Sequence, residues 1–275
     1  LAVPDPTTAR FRAAAALWRD TAGISDEQLS RQIRADRIDI LIDLAGHATR
    51  NRLPAFARKP APLQITWIDS VGGTGLAAID YLLADRHLVP AGAETFYRER
   101  ILRLPDGYVC YEPPAGAPRA GPLPALGCGH VTFGSFNNPA KIHRQVVALW
   151  SRILVRVPGS CLVLKYQGLS DPGTRRHYEE LFGSLGVSPE RVEWQGWSAF
   201  REYFAEYNRI DIALDPFPHT GGLTTCDALW MGVPVITLPG QKFAGRQSLS
   251  HLSNVGLTNL IAGDLEEYVR MAVGL

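Results

Sequence analysis

Residues 211–240 read DIALDPFPHTGGLTTCDALWMGVPVITLPG. Ile212, Ala213 and Leu214 form the short apolar run of a buried parallel strand. Pro216 and Pro218 stop it, and Gly221 and Gly222 allow a tight turn and close approach of backbone to a ligand. Thr224 is placed as the cap of a following helix, with Asp227 three residues on, a variant of the capping-box spacing. Gly232 and Pro234 end that helix, and residues 235–238 start the next strand. A helix N-terminus here offers unpaired N–H groups and a partial positive charge. With the Thr224 and Thr225 hydroxyls beside it, that is an anion site suited to a diphosphate. Asp227, one turn in, is placed to accept hydrogen bonds from a ribose. Glycines after a strand and T-x-x-D also occur as a plain turn and cap. Neither a Walker A loop nor G-x-G-x-x-G occurs in the chain.

Outward from this stretch the second half continues the alternation. Strands are expected at 131–136, 161–166 and 192–194, and helices at 143–157, 174–185, 198–207 and 246–254, with a last helix over 265–275. Val146, Val147, Trp150, Ile153, Leu154 and Val157 fall on one helical face. Gly186 is read as a C-cap. This is a doubly wound domain, whose ligands sit beyond the carboxyl ends of the strands. Residues 113–128, PPAGAPRAGPLPALGC, carry five prolines and read as a linker. In the first half, helices are expected at 9–19 and 51–59, with a capping box at Ser25-x-x-Gln28 opening another. Strands are expected at 38–44, 63–68, 79–84 and 101–104. The division is therefore 1–112, a linker at 113–128, and 129–275.

The 275 residues suit two domains of ordinary size. Lys plus Arg number 28 and Asp plus Glu 27, a net charge of +1, which gives no electrostatic footprint for nucleic acid. No apolar run is long enough to cross a bilayer, so no membrane partner is expected. Cys110, Cys128, Cys161 and Cys226 lack C-x-x-C spacing, which argues against a disulfide framework or zinc site and for a reducing, cytoplasmic setting. They are read as small core residues. The chain does not begin with Met and ends within a helical pattern, so it is expected to be a fragment of a longer protein.

Asn137, Asn138 and Lys141 follow the first strand of the second half and point to the same crevice as Thr224. Lys141 is placed to neutralise a diphosphate and stabilise its departure; a solvated lysine on a turn has the same spacing. His47, at a strand end, is a candidate base or orienting group, or a structural histidine. The Gly72-Gly73-Thr74-Gly75 loop approaches a ligand or is only a turn. His219 touches the ligand or is a surface residue. Tyr203, Trp194 and Trp197 are candidate platforms for a base, or core aromatics. The phosphate site as read requires no metal.

With these segments in hand the sequence resembles the catalytic region of the O-linked N-acetylglucosamine transferase and SPINDLY family, in a bacterial form. The resemblance rests on IDILIDLAGHATRNRLPAFARKPAPLQITW, the RLPDGYVCY run at 103–111, VTFGSFNNPAKI at 131–142 and the stretch at 214–240. It covers the chain from about residue 36 onward. It implies a GT-B-like α/β fold of two doubly wound Rossmann-type domains, the N-terminal one incomplete and lying on the acceptor side. It implies inverting transfer of a sugar, N-acetylglucosamine from its UDP donor, to serine or threonine of protein acceptors, with no other cofactor. By the same resemblance Lys141 contacts the donor diphosphate and Asn138 lies near base or phosphate, and Asn137 beside it is counted in the donor-binding set. Thr224, Thr225, Gly221 and Gly222 line the phosphate helix, Asp227 holds the ribose, and Ser198, Tyr203 and His219 belong to the donor set. Tyr203 stands where the family carries a histidine. Residues 69–71, Asp-Ser-Val, stand where the family reads Gly-Tyr-Pro. The family's opening catalytic segment and its tetratricopeptide repeats are not in this sequence. A GDP-fucose-dependent protein O-fucosyltransferase and a non-catalytic nucleotide-sugar-binding or protein-interaction module are the two alternatives.

Overall fold

The structure is a computed structural model that describes residues 4–68 and 71–275. The chain forms two compact units, Leu1–Leu83 with Thr95–Leu102, and Ala84–Glu94 with Arg103–Leu275. Residues 113–128 lie inside the second unit.

In the first unit, helix α1 (Pro6–Ala14) is capped by Asp5, which accepts from Thr8 N at 2.7 Å. It stops short of the expected residue 19 because it buries none of its residues, and helix-forming composition without a packed face does not extend a helix. Helix α2 (Asp26–Ala35) carries the expected capping box: Ser25 Oγ accepts from Gln28 N at 3.1 Å, and Gln28 Oε1 from Ser25 N at 2.8 Å. Strand β1 (Ile40–Asp43), helix α3 (Leu53–Phe56) and strands β2 (Leu63–Thr66), β3 (Tyr81–Ala84) and β4 (Arg100–Arg103) follow. The sheet order is β1-β2-β3-β4, with β1, β2 and β3 parallel. Leu53, Phe56 and Ile79 form its core cluster, with Leu41 and Leu76 packed against them.

Two buried carboxylates shape the loops of this unit. Asp43 accepts from Ala45 N, Gly46 N and Thr66 Oγ1, which fixes the turn carrying His47. Glu99 accepts from Thr74 N at 2.6 Å, from Gly75 N at 3.1 Å and from the Thr74 hydroxyl. The glycine loop is thus held by a buried side-chain acceptor. Gly73 has φ +87°, and a Cβ there would stand 2.9 Å from Glu99 Oε2. Of the variant positions 69–71, Asp69 and Ser70 lie outside the described residues.

The second unit runs α4 (Ala125–Cys128), β5 (Thr132–Ser135), α5 (Arg144–Arg156), β6 (Cys161–Lys165), α6 (Pro172–Gly183), β7 (Val192–Gln195) and α7 (Phe200–Glu206). It continues with β8 (Ile212–Leu214), α8 (Leu223–Trp230), β9 (Val235–Ile236), α9 (Gln247–Asn254) and α10 (Leu265–Gly274). The strand order is β7-β6-β5-β8-β9 and every pairing is parallel. The chain winds outward from β5 in both directions, so β5 and β8 flank the switch point where such sheets open a ligand crevice. The expected strand at 235–238 contributes only two residues to the sheet, because Thr237 N turns to Leu260 O at 3.1 Å.

Helix α5 buries Val146, Val147, Trp150, Ile153 and Leu154, as its spacing predicts. Trp150 Nε1 donates to Tyr268 OH on α10 at 3.3 Å, and Tyr268 OH donates to Asp215 O at 2.9 Å. The far layer thereby reaches the residue that follows β8. Asp85 explains why residues 84–94 and 103–112 belong to this unit. It is wholly buried and accepts from His87 N, Leu88 N, Tyr108 N and Ser250 Oγ. The cysteines depart from expectation. Cys110 and Cys128 are exposed, and Cys161 and Cys226 are partly covered. Cys110 sits in an irregular connection, and Cys128 ends the short helix α4, which buries none of its residues.

Candidate active site

The crevice between β5 and β8 is built from two loops. After β5, Asn137 is buried and Lys141 follows on a single 3-10 turn, Pro139–Lys141. After β8, the chain runs through Asp215 to Gly222 before α8 begins. Lys141 Nζ donates to Thr220 O at 2.8 Å and to Asn137 Oδ1 at 3.3 Å. Thr224 Oγ1 donates to the same Asn137 oxygen at 3.3 Å. Asn137, Lys141, Gly221 and Thr224 therefore come together as the sequence predicts.

The start of α8 differs from expectation. The N-cap is Gly222, at φ −110° and ψ −101°, and no side chain caps the helix. Thr224 is inside the first turn and its hydroxyl faces Asn137, while Asp227 turns sideways instead of looping back. The cause lies upstream: Asp215 Oδ1 accepts from Gly221 N at 2.6 Å and draws the chain into the turn two residues earlier. A Cβ on Gly221 would meet Thr225 Oγ1 at 2.5 Å, and one on Gly222 would meet Gln247 Oε1 at 2.5 Å. Glycine is required here by close packing of the turn. The uncapped helix end keeps donors and dipole available to an anion.

Electrostatics follow from burial. Asp215 is fully buried, and burial raises its pKa against the opposing hydrogen bonds of Thr237 and Gly221 N and the charge of Lys141. Burial lowers the Lys141 pKa, opposed by the Asp215 charge. Among the described residues the ammonium has two neutral oxygen partners and no carboxylate in contact, which leaves its charge available to an anion.

Asp227 is half-buried and accepts from Tyr111 OH at 2.8 Å and Tyr203 OH at 3.1 Å. Burial raises its pKa and these two phenols lower it. Tyr203 OH also meets Tyr207 OH at 3.1 Å, and Tyr207 OH donates to Thr224 O at 3.2 Å. Tyr203 and Thr224 line a cavity of about 470 Å³ with Phe136, Trp197, Ser198 and Phe200. Ser198 Oγ is buried there without a partner. Trp197 is 75% exposed, whereas Trp194 packs on Tyr178 and Phe182 in the core and is no platform.

The other expected residues are dispersed. Thr225 is buried and its hydroxyl meets Ser248 Oγ at 2.8 Å. Asn138 is exposed and accepts from Ala140 N as a local cap. His219 is exposed at the loop tip, and partial burial followed by the Lys141 charge lowers its pKa. His47 is in the first unit, exposed in the turn after β1. Sequence reasoning missed Asp215, Thr220, Tyr111 and Tyr207. Asp215 and Thr220 stood inside the opening stretch, and Tyr111 inside the quoted 103–111 run. The signal for Asp215 was an acid closing a buried strand.

An uncapped helix end, a half-buried lysine and an aromatic-lined cavity share one switch point. The profile of glycosyl transferase family 41 matches residues 5–112 and 124–275. The chain belongs to glycosyl transferase family 41. This family 41 chain is 40% identical over 279 residues to a Solanum lycopersicum protein named "Probable UDP-N-acetylglucosamine--peptide N-acetylglucosaminyltransferase SPINDLY". The match covers 98% of the chain and 30% of that relative. The Arabidopsis thaliana protein of the same name is 39% identical over 279 residues, with the same coverage. Among solved structures, a lysine-to-methionine mutant of Thermobaculum terrenum O-GlcNAc transferase superposes with a TM-score of 0.94 at 41% identity. That match covers 99% of this chain and 52% of the other. The lipopolysaccharide outer core galactosyltransferase WaaB superposes at TM-score 0.51 and 14% identity, over 90% of this chain and 74% of that one, a likeness of fold alone. The α/β architecture is that of the GT-B glycosyltransferases. The chain spans about 30% of the length of the plant relatives. Among the described residues no helix is long and apolar enough to cross a membrane.

Proposed function

We propose that this chain carries the donor site of an inverting glycosyltransferase that moves N-acetylglucosamine from its UDP donor to serine or threonine hydroxyls of proteins. The carrying observation is Lys141, a half-buried ammonium held by Thr220 O and Asn137 Oδ1 beside the uncapped start of α8. The relatives' names supply the sugar, the nucleotide and the peptide acceptor. In this reading the diphosphate lies on the α8 N-terminus, between Lys141 and Thr224. The base enters the Tyr203 cavity, and the ribose meets Asp227. The acceptor oxygen attacks the anomeric carbon as the bond to the diphosphate breaks. Lys141 and the helix dipole then stabilise charge where it accumulates. His47 is the proposed first-unit group for the acceptor proton, on a turn already fixed by Asp43. The 1–112 part is taken as the acceptor side and 129–275 as the donor side, in a reducing, cytoplasmic setting that suits free cysteines.

The test is transfer to a pool of serine- and threonine-containing peptides, read by mass spectrometry, with UDP-N-acetylglucosamine and GDP-fucose offered separately. A gain of one N-acetylhexosamine, lost in Lys141→Ala, is expected. A gain of fucose instead assigns the guanine donor, and no transfer of either sugar by the full chain overturns the reading.

A further inference from the structure

Asp227 is braced from two sides by groups of different origin. On the Oδ2 side stands Tyr203, which donates to it at 3.1 Å and whose hydroxyl also lies 3.1 Å from that of Tyr207. Tyr203 comes from α7. On the Oδ1 side stands Tyr111 at 2.8 Å, from the connection after β4. An ionised carboxylate accepts about four hydrogen bonds. With one phenol on each oxygen, one position per oxygen is left, a pattern that matches two adjacent hydroxyls. A carboxylate torsion is otherwise broad and roughly two-fold. Removing the Oδ1 partner frees the group to turn about its Cβ–Cγ bond, and binding then has to arrest it.

We propose that Tyr111 is a positioning residue for the donor ribose, fixing the Asp227 carboxylate in the orientation that receives the vicinal hydroxyls. The inference rests on the donor reading above, in which Asp227 meets the ribose. Tyr111 touches Asp227 and acts through it, without contact to the reacting atoms. The half-buried Tyr111 phenol is itself held protonated by burial and by the adjacent carboxylate, so it stays a donor throughout the neutral range.

The experiment is calorimetric titration of the full chain with UDP and with 2′,3′-dideoxy-UDP, in the wild type, Tyr111→Phe, Asp227→Asn and the double variant. Tyr111→Phe is expected to weaken UDP about five- to tenfold and to leave the dideoxy nucleotide within about twofold. In the Asp227→Asn background the added Tyr111→Phe should change little, because its target is already altered. Equal weakening of both nucleotides by Tyr111→Phe would mean a merely structural residue, and no weakening of UDP would equally overturn the inference. If the wild type binds both nucleotides alike, the ribose role of Asp227 fails and this inference with it, while the diphosphate site stands. If the wild type binds no UDP, the donor reading itself has failed.

Discussion

A half-buried lysine and a buried aspartate shape the candidate site without touching one another. Asp215 spends its oxygens on Gly221 N and Thr237 Oγ1, which bends the loop that Lys141 then grips through Thr220 O. Burial drives both groups toward neutrality, so an anion bound beside Lys141 would keep it charged at low cost. His251 shows the same physics away from the site. It is 8% exposed, its Nε2 has no partner, and burial lowers its pKa to about 4, opposed by the Asp85 charge. Its folded pKa lies below the unfolded value, so between about pH 6.5 and 4 the unfolded chain binds the extra proton. Stability is therefore full above that window and falls as pH drops through it, by on the order of 3 kcal/mol. Urea midpoints at pH 7 and pH 4.5 should separate in the wild type and approach one another in His251→Phe. Equal separation in both would remove His251 as the source.

At the scale of elements, β5 is the axis of the second sheet and carries Gly134 at its centre. A Cβ there would stand 2.1 Å from Ile210 Cδ1 and 3.0 Å from Ile210 Cγ2. Gly134→Ala is expected to cost about 1–3 kcal/mol through overpacking. Ile210→Val, which removes Cδ1, should return part of that cost in the double variant, a coupling readable from urea unfolding. Additive losses would show that the crowding is relieved elsewhere. This element also shows what the sequence made legible. Alternation of apolar runs with amphipathic helices placed most strands and helices, because burial on both sheet faces leaves a periodic trace, as in α5. The start of α8 was misplaced because the residue that sets it, Asp215, acts by a backbone bond to Gly221 that no pattern of side chains encodes. Tyr111 was invisible as a site residue for a related reason. It lies 116 positions from Asp227 and meets it only through the tertiary fold. The cysteines were misjudged because composition gives a residue's tendency and not its facing.

At the scale of the molecule, the chain's balance of 28 basic and 27 acidic residues puts no long-range field behind anion binding. Affinity for a nucleotide must come from the local site at the β5–β8 switch point. The parallel order β7-β6-β5-β8-β9 puts the loops after β5 and β8 side by side, so residues 137, 141, 220, 221 and 224 meet although they lie far apart in sequence. The central claim is that this convergence is a nucleoside-diphosphate site anchored by Lys141. Its most direct measurement is calorimetric titration with UDP and with GDP, in the wild type and in Lys141→Ala. The account predicts that UDP binds better than GDP and that Lys141→Ala weakens UDP by roughly 10- to 100-fold, the range of one charge-assisted contact. Undiminished UDP binding by a folded Lys141→Ala variant would contradict it.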